Sequence, residues 1–299
     1  MIKLLVNIFF LIYNVFVKKE KTFMILNAKI VRDFEIDSLK NKINSFDKKL
    51  KLVVIRVGND KASEIYVNFK RKLCNEVNID FEEIHLSENI NECNIINIIE
   101  KLNNDINVTS ILIQLPLPNH LNSNNIINKI NPYKDVDGLT DVNIGMMFNK
   151  RDCIIPCTTM GIETLLDYYN IDISGKNAVL IGRSNLVGIP LINMILKRNA
   201  TLTVCHTKTK NLSNFTKNAD IIFIAAGHAN LVVKDMVKKD AIIIDIGINR
   251  IDGKICGDAD FENLKDYVKA ITPVPGGIGV MTVLSVIKNV IKCYELQNK

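Results

Sequence analysis

Ala178-Val179-Leu180-Ile181-Gly182-Arg183-Ser184-Asn185-Leu186-Val187-Gly188-Ile189-Pro190 begins as a buried-type apolar run, turns at a glycine, and resumes at Leu191 to Lys197 with helical spacing. Strand, glycine turn and helix in that order start a nucleotide-binding α/β unit. Gly182 permits a tight turn, Gly188 lets the helix approach the sheet, and Pro190 suits a first helical turn, where its missing N–H is not needed. The N–H groups left free at such a helix start hold phosphate oxygens. The full G-x-G-x-x-G fingerprint is absent, because Arg183 and Ser184 stand in its middle, so the turn alone also fits a plain strand-to-helix connection. The end of the next strand separates the two. A site for NAD normally carries an acid there for the ribose hydroxyls, whereas this chain has Cys205-His206-Thr207-Lys208. No carboxylate repels a 2′-phosphate, Arg183, Thr207 and Lys208 are suited to bind one, and the expected cofactor is NADP.

Working outward, strands are expected at Thr201 to Cys205, Ile221 to Ala225 and Ala241 to Ile246, with helices between them, making a doubly wound unit. The first half alternates in the same way. A short strand near Ile25, a helix from Ile36 to Phe46 and a strand from Leu50 to Val57 come first. A helix follows whose apolar stripe is Ile65, Phe69, Leu73 and Val77, with Ser63 as its N-cap. Then come a strand at Phe81 to Leu86, a helix at Cys93 to Asn103 and a strand at Ser110 to Gln114, which together predict a parallel sheet covered on both faces. Residues 131–148 lack long apolar runs, carry Pro132, Gly138 and Gly145, and read as a connection; a helix resumes at Gly161 to Tyr169. The fold class is therefore α/β, with two α/β domains flanking a cleft, the second a Rossmann-type doubly wound parallel sheet. The expected domains are 24–141 and 142–297, the last helix packing back on the first.

The chain has 299 residues, 47% of them hydrophobic and 23% charged, the balance of a globular protein with room for two domains. Its net charge of +6 favours anionic partners, but the lysines are spread and no aromatic-studded basic segment appears, so small polyanions are expected and nucleic acid is not. Seven scattered cysteines argue for a reducing compartment without a disulfide framework. Cys153 and Cys157 are four apart with no second pair nearby, which reads as ordinary buried thiols and gives no metal site. Leu4 to Val17 is almost wholly apolar between lysines, too short for a comfortable membrane span. Residues 1–23 therefore stand as a targeting segment, a tether giving membrane contact, or sequence upstream of a true start at Met24.

Tyr66 and Lys70, four apart on the helix that carries the Ile65 to Val77 stripe, emerge side by side on one wall. Gln114 ends a buried strand before Leu115-Pro116-Leu117-Pro118, at the carboxyl edge of a parallel sheet where ligands bind. Lys134-Asp135-Val136-Asp137-Gly138 places carboxylates on a turn at the domain junction. With VGNDKASEIYVNFK at 57–70, QLPLP at 114–118, KDVDG at 134–138, PCTTMGI at 156–162, GRSNLVG at 182–188 and TPVPGGIGVMT at 272–282, the chain resembles the bifunctional methylenetetrahydrofolate dehydrogenase/cyclohydrolase family from about Ile25 to Cys293. The resemblance implies oxidation of 5,10-methylenetetrahydrofolate with NADP and hydrolysis of the methenyl product to 10-formyltetrahydrofolate. It implies that Lys70 is central to hydrolysis with Gln114 assisting, that Tyr66 stacks on the folate and that Asp137 holds the pterin. Gly182, Arg183, Ser184, Thr207 and Ile248 fall where the family contacts NADP. It also implies a homodimer, and a cytoplasmic location with organellar targeting by residues 1–23 left open.

Departures from the pattern are Val280 for the usual proline, expected to loosen the loop after Gly276-Gly277, and Arg32-Asp33 for a glycine, expected to alter a surface turn. The alternatives are a dehydrogenase without hydrolysis, or a catalytically silent folate- or nucleotide-binding protein. The absence of an acid after Thr201 to Cys205 makes a direct prediction: kcat/KM is higher with NADP than with NAD, and a strong preference for NAD in the same assay removes the reading of Arg183, Thr207 and Lys208.

Overall fold

The computed structural model describes residues 23–299; the readings made on the apolar extension fall, except for Phe23, outside the described residues. In chain order the elements of the first half are β1 (Met24–Ile25), α1 (Ala28–Asn44), β2 (Lys51–Val57), α2 (Lys61–Glu76), β3 (Asp80–Leu86), α3 (Glu92–Asn104), β4 (Ser110–Ile113), α4 (Ser123–Ile127) and α5 (Asp141–Phe148). The second half has α6 (Cys157–Tyr168), β5 (Asn177–Ile181), α7 (Gly188–Lys197), β6 (Thr201–Cys205), α8 (Ser213–Thr216) and β7 (Ile221–Ile224). It continues with β8 (Ile242–Asp245), β9 (Asn249–Ile251), β10 (Lys254–Cys256), α9 (Phe261–Leu264), β11 (Ala270–Ile271) and α10 (Ile278–Gln297).

Two parallel sheets result, a three-stranded one ordered β3-β2-β4 and a six-stranded one ordered β1-β11-β8-β7-β5-β6. The central strand β2 is buried over Leu52, Val53, Val54 and Ile55, as a parallel strand covered on both faces must be. The edge strand β3 alternates between exposed and half-buried positions. Strand β1 does not join the first-half sheet: Met24 and Ile25 pair with Ala270 and Ile271 at the edge of the second. β9 and β10 form a separate antiparallel hairpin.

Helix α1 starts eight residues before the expected Ile36. Asn27 caps it by accepting from the Lys29 N–H, and its buried positions Ala28, Val31 and Ile36 leave a five-residue gap that breaks the apparent period. Arg32 and Asp33 therefore sit within a helix and not on a surface turn; the Arg32 guanidinium pairs with both Asp33 and Glu76. Helix α2 begins at Lys61 under an Asp60 cap, whose Oδ2 accepts from Ser63 N at 2.7 Å, so Ser63 is not the cap but a buried first-turn residue. Its inward face is Ser63, Val67, Lys70, Leu73 and Cys74, while Ile65 and Phe69 are exposed. The expected apolar stripe is thus correct only at its C-terminal end, because the buried face carries a serine and a lysine that a hydrophobic count discards. The presumed connection contains α5, capped by Thr140 accepting from Asn143 N at 3.3 Å.

Helix α10 ties the halves together by packing on α6, α1 and α2. Its Asn289 amide, fully buried, donates to the carbonyls of Val136 and Ile155 at 2.8 Å each and lies 3.4 Å from Cys157 Sγ. Gln297 Nε2 donates to the carbonyls of Thr109 and Tyr133. Among the described residues no helix is long and apolar enough to cross a membrane. Asn289→Ala leaves the half-buried Ile155 carbonyl without its side-chain donor and the Val136 carbonyl with only the weak Cys157 thiol, and is expected to destabilise the fold by about 2 kcal/mol. A urea midpoint lowered at unchanged m-value checks this, and an unchanged midpoint contradicts it.

Candidate active site

The first-half wall of the site is built from α2, the end of β4 and the turn after it. Lys70 is 7% exposed, and its Nζ donates to Gln114 Oε1 at 2.8 Å. Gln114 Nε2 donates in turn to the Leu115 carbonyl at 2.7 Å, which leaves Oε1 as the only end of the amide that meets the lysine. The segment Lys134-Asp135-Val136 runs beside β4, Ile111 N donating to Lys134 O and Val136 N to Ile111 O. Buried Asp135 accepts from Gly138 N, Thr140 N and Asn143 Nδ2, so this carboxylate shapes the turn. Asp137 is the one left facing the cavity.

Tyr66, Lys70, Gln114, Asp137 and Ile248 line a single cavity of about 270 Å³, with Leu186 and Val187 of the glycine turn in its wall. The lysine and the turn thus share one cleft. A second cavity of about 490 Å³ adjoins it through Tyr66, Ile246 and Ile248 and extends to Arg32, Lys72, the Pro273 to Gly277 loop and the first turn of α10. Val280 does not loosen that loop: its N–H donates to the Gly277 carbonyl at 3.0 Å, a bond a proline lacks.

Burial pushes the Lys70 ammonium below its ordinary pKa, an effect partly offset by the Asp137 charge. Burial pushes the Asp137 carboxyl up, and the Lys70 charge partly holds it down. The Tyr66 hydroxyl is raised by burial and stays neutral. Cys157, beside this pair, is a site residue that sequence reasoning set aside as an ordinary thiol. Burial holds it well above its usual pKa, its Sγ donates to Val136 O at 3.3 Å, and it lines the cavity as a protonated group, not a nucleophile. Its place at the head of PCTTMGI was the available signal. Thr158 and Thr282 also line the cavity, their hydroxyls 3.4 Å apart.

The remaining expected residues lie along the carboxyl edge of the six-stranded sheet, outside that cavity. Gly182, with φ +120°, has no room for a side chain, since a Cβ would stand 2.2 Å from Ala225 O. A Cβ on Gly188 would stand 2.5 Å from Arg183 Cα, so turn and helix are packed together. Ser184 Oγ accepts from Val187 N at 3.2 Å and caps the turn. Arg183, Ser184, Asn185 and Leu186 are exposed, and so are Thr207 and Lys208 on the loop after β6, whose shape Thr209 sets by accepting from His206 N at 2.9 Å. A glycine cradle with free cations beside it and no carboxylate at the end of β6 fits a phosphorylated dinucleotide. Among the described residues no group of three or more His, Cys, Asp or Glu is placed to hold a metal ion.

The sequence pattern described as the catalytic domain of tetrahydrofolate dehydrogenase/cyclohydrolase matches residues 26–137, and that of the NAD(P)-binding domain matches residues 156–298. The chain belongs to the tetrahydrofolate dehydrogenase/cyclohydrolase family. It is 45% identical over 276 residues to the bifunctional protein FolD of Acholeplasma laidlawii, covering 92% of this chain and 100% of the relative. The crystal structure of bifunctional FolD from Campylobacter jejuni superposes with a TM-score of 0.90 at 42% identity, covering 92% of this chain and 100% of that one. FolD from Trypanosoma brucei, solved with NADP cofactor and an inhibitor, gives 0.88 at 28% identity, covering 92% and 98%. In this family setting Gly182→Ala is expected to weaken NADP binding at least about tenfold, a change of roughly 1.4 kcal/mol, because Ala225 must move. Calorimetric titration with NADP tests it, and unaltered affinity contradicts the cradle.

Proposed function

We propose that the chain oxidises 5,10-methylenetetrahydrofolate with NADP and then hydrolyses the methenyl product to 10-formyltetrahydrofolate, both in the cleft between Lys70 and the glycine turn. The observation that carries this is the buried Lys70–Gln114 pair, which shares a cavity with Tyr66, Asp137, Ile248 and the Leu186-Val187 edge of the turn. Bound NADP supplies the acceptor for the hydride that leaves the methylene carbon. Gly182, Arg183, Ser184, Thr207 and Ile248 would hold it, and Arg183, Thr207 and Lys208 would supply the groups suited to a 2′-phosphate. Hydride loss requires no protein nucleophile; it requires two ring systems held in register, which a cleft between two rigid units provides.

The methenyl product is a cation, and the face of Tyr66 stabilises it by about 0.5 to 2 kcal/mol. Hydrolysis then adds water to the methenyl carbon. Lys70, whose ammonium burial disfavours, takes one proton of the attacking water; as the adduct's hydroxyl loses its own proton to become the formyl carbonyl, the carbon–N5 bond breaks and N5 is protonated, one proton being released overall. Gln114 keeps Nζ on that side of the cavity, and Asp137 binds the pterin ring by accepting its N–H groups. The adjoining larger cavity has room for the rest of the folate. The same reading takes residues 24–141 as the folate domain and 142–297 as the NADP domain, and takes the protein as a cytoplasmic homodimer, as its family membership supports.

Lys70→Met is expected to abolish methenyl hydrolysis. It also removes a buried amine whose lowered pKa costs stability progressively as pH falls from the unfolded value of 10.5 toward the folded one, and in full below that, so its Tm at neutral pH should not fall below that of the parent. In the parent, hydrolysis should rise with pH and level off below the ordinary lysine range. Undiminished hydrolysis in the variant overturns the role of Lys70.

A further inference from the structure

Two aspartates that the reactions above leave unused lie behind the dinucleotide edge. Asp258 is 0% exposed and accepts four hydrogen bonds. Its Oδ2 receives the N–H groups of Ala226 at 2.6 Å and Gly227 at 3.0 Å, and its Oδ1 receives His228 N at 2.9 Å and Asn249 Nδ2 at 2.8 Å. Asp245, 2% exposed at the end of β8, holds Asp258 in place. Its Oδ1 accepts from Asp258 N and Gly247 N at 3.0 Å each, and its Oδ2 from Ala259 N at 2.8 Å. Neither carboxylate has a Lys, Arg or His partner within 4 Å among the described residues, so backbone dipoles do the work a cation usually does. Burial, with the neighbouring Asp258 charge adding to it, pushes Asp245 up to about 6.

The expense of two buried carboxylates held by hydrogen bonds without a cation is informative because of what they hold. The loop Ala226 to His228 follows Ala225, whose carbonyl is the atom packed against Gly182. Three successive N–H groups pulled toward Asp258 therefore set the wall on which the glycine turn rests. On the other side, Asp245 and Asp258 fix Gly247 and Asn249, the residues flanking Ile248, which lines both cavities. The fit leaves no slack: a Cβ on Gly247 would stand 2.1 Å from Asp258 Cγ, and one on Gly257 2.0 Å from Asp245 Oδ2.

We infer that Asp258 is a positioning residue for the dinucleotide, acting through the Ala225 to His228 loop and the Ile248 segment, and separable from the hydrolytic group at Lys70. This rests on the functional reading given above. Asp258→Asn keeps the shape but turns one acceptor oxygen into an amide donor facing backbone N–H groups, which cannot be satisfied. The test measures three quantities on the full chain: the affinity for NADP by calorimetry, the KM for NADP in methylenetetrahydrofolate oxidation, and methenyl hydrolysis without dinucleotide. The expected result is an affinity loss and a KM rise of about tenfold or more, equivalent to roughly 1.4 kcal/mol, with hydrolysis within about twofold of the parent. A parallel fall in hydrolysis and affinity, or no change in affinity, overturns the inference. If Asp258→Asn shows no cooperative unfolding transition, Asn249→Ala, which removes one of the four donors, takes its place. A severalfold loss of NADP affinity at constant hydrolysis then supports the inference, and unchanged affinity overturns it. A parent protein that binds NADP but lacks either reaction refutes the functional reading instead, and is seen before any variant is made.

Discussion

Lys70 is held out of water against an amide that has already been oriented. The Leu115 carbonyl fixes the Gln114 amide, and Gln114 Oε1 in turn holds the amine at 2.8 Å. Burial of an ammonium is unfavourable, and a fold tolerates it only where neighbours compensate and the altered basicity serves a purpose. Much of the first half can be understood as the means of keeping this one side chain dry. Helix α2 turns Lys70 inward among Val67, Leu73 and Cys74, β4 delivers Gln114 to the sheet edge, and the Asp135-shaped turn sets Asp137 beside both. Helix α10 then closes the back by bonding to Val136 and Ile155 from the other half of the chain.

The dinucleotide edge follows the same logic with the opposite charge. Gly182 fits against Ala225, Ala225 leads into a loop fastened by Asp258, and Asp258 is fastened by Asp245. Each carboxylate on this edge, like Asp135 in the first half, is turned inward to gather backbone N–H groups. The outward-facing groups beside the cradle are Arg183, Thr207 and Lys208, and the surface offered to a phosphate stays free of nearby acids.

The alternation of strands and helices was legible because parallel strands read as short apolar runs, and β2, β5, β6 and β7 fall within a residue or so of where those runs lie. Tyr66, Lys70, Gln114 and Asp137 could be singled out by residue type, but their convergence required six dispersed motifs to be taken together. What stayed hidden was whatever depends on contacts between distant segments. The pairing of β1 with β11 leaves no local trace. The inward face of α2 carries a lysine and a serine, so hydrophobic spacing pointed instead to Ile65 and Phe69, which are exposed. Cys157 looked ordinary because its importance lies in partners 20 or more residues away.

The Lys70–Gln114 pair and the edge of the glycine turn share one cavity, and the proposed two-step reaction requires that this one cleft carry out both steps on the same folate. That requirement is tested most directly by mixing the purified protein with methylenetetrahydrofolate and NADP and following NADPH, methenyltetrahydrofolate and 10-formyltetrahydrofolate in one time course. The account predicts that the methenyl form rises briefly and then falls while 10-formyltetrahydrofolate approaches the amount of NADPH. A methenyl form that accumulates to match NADPH, and then decays only as fast as it does without protein, would contradict it.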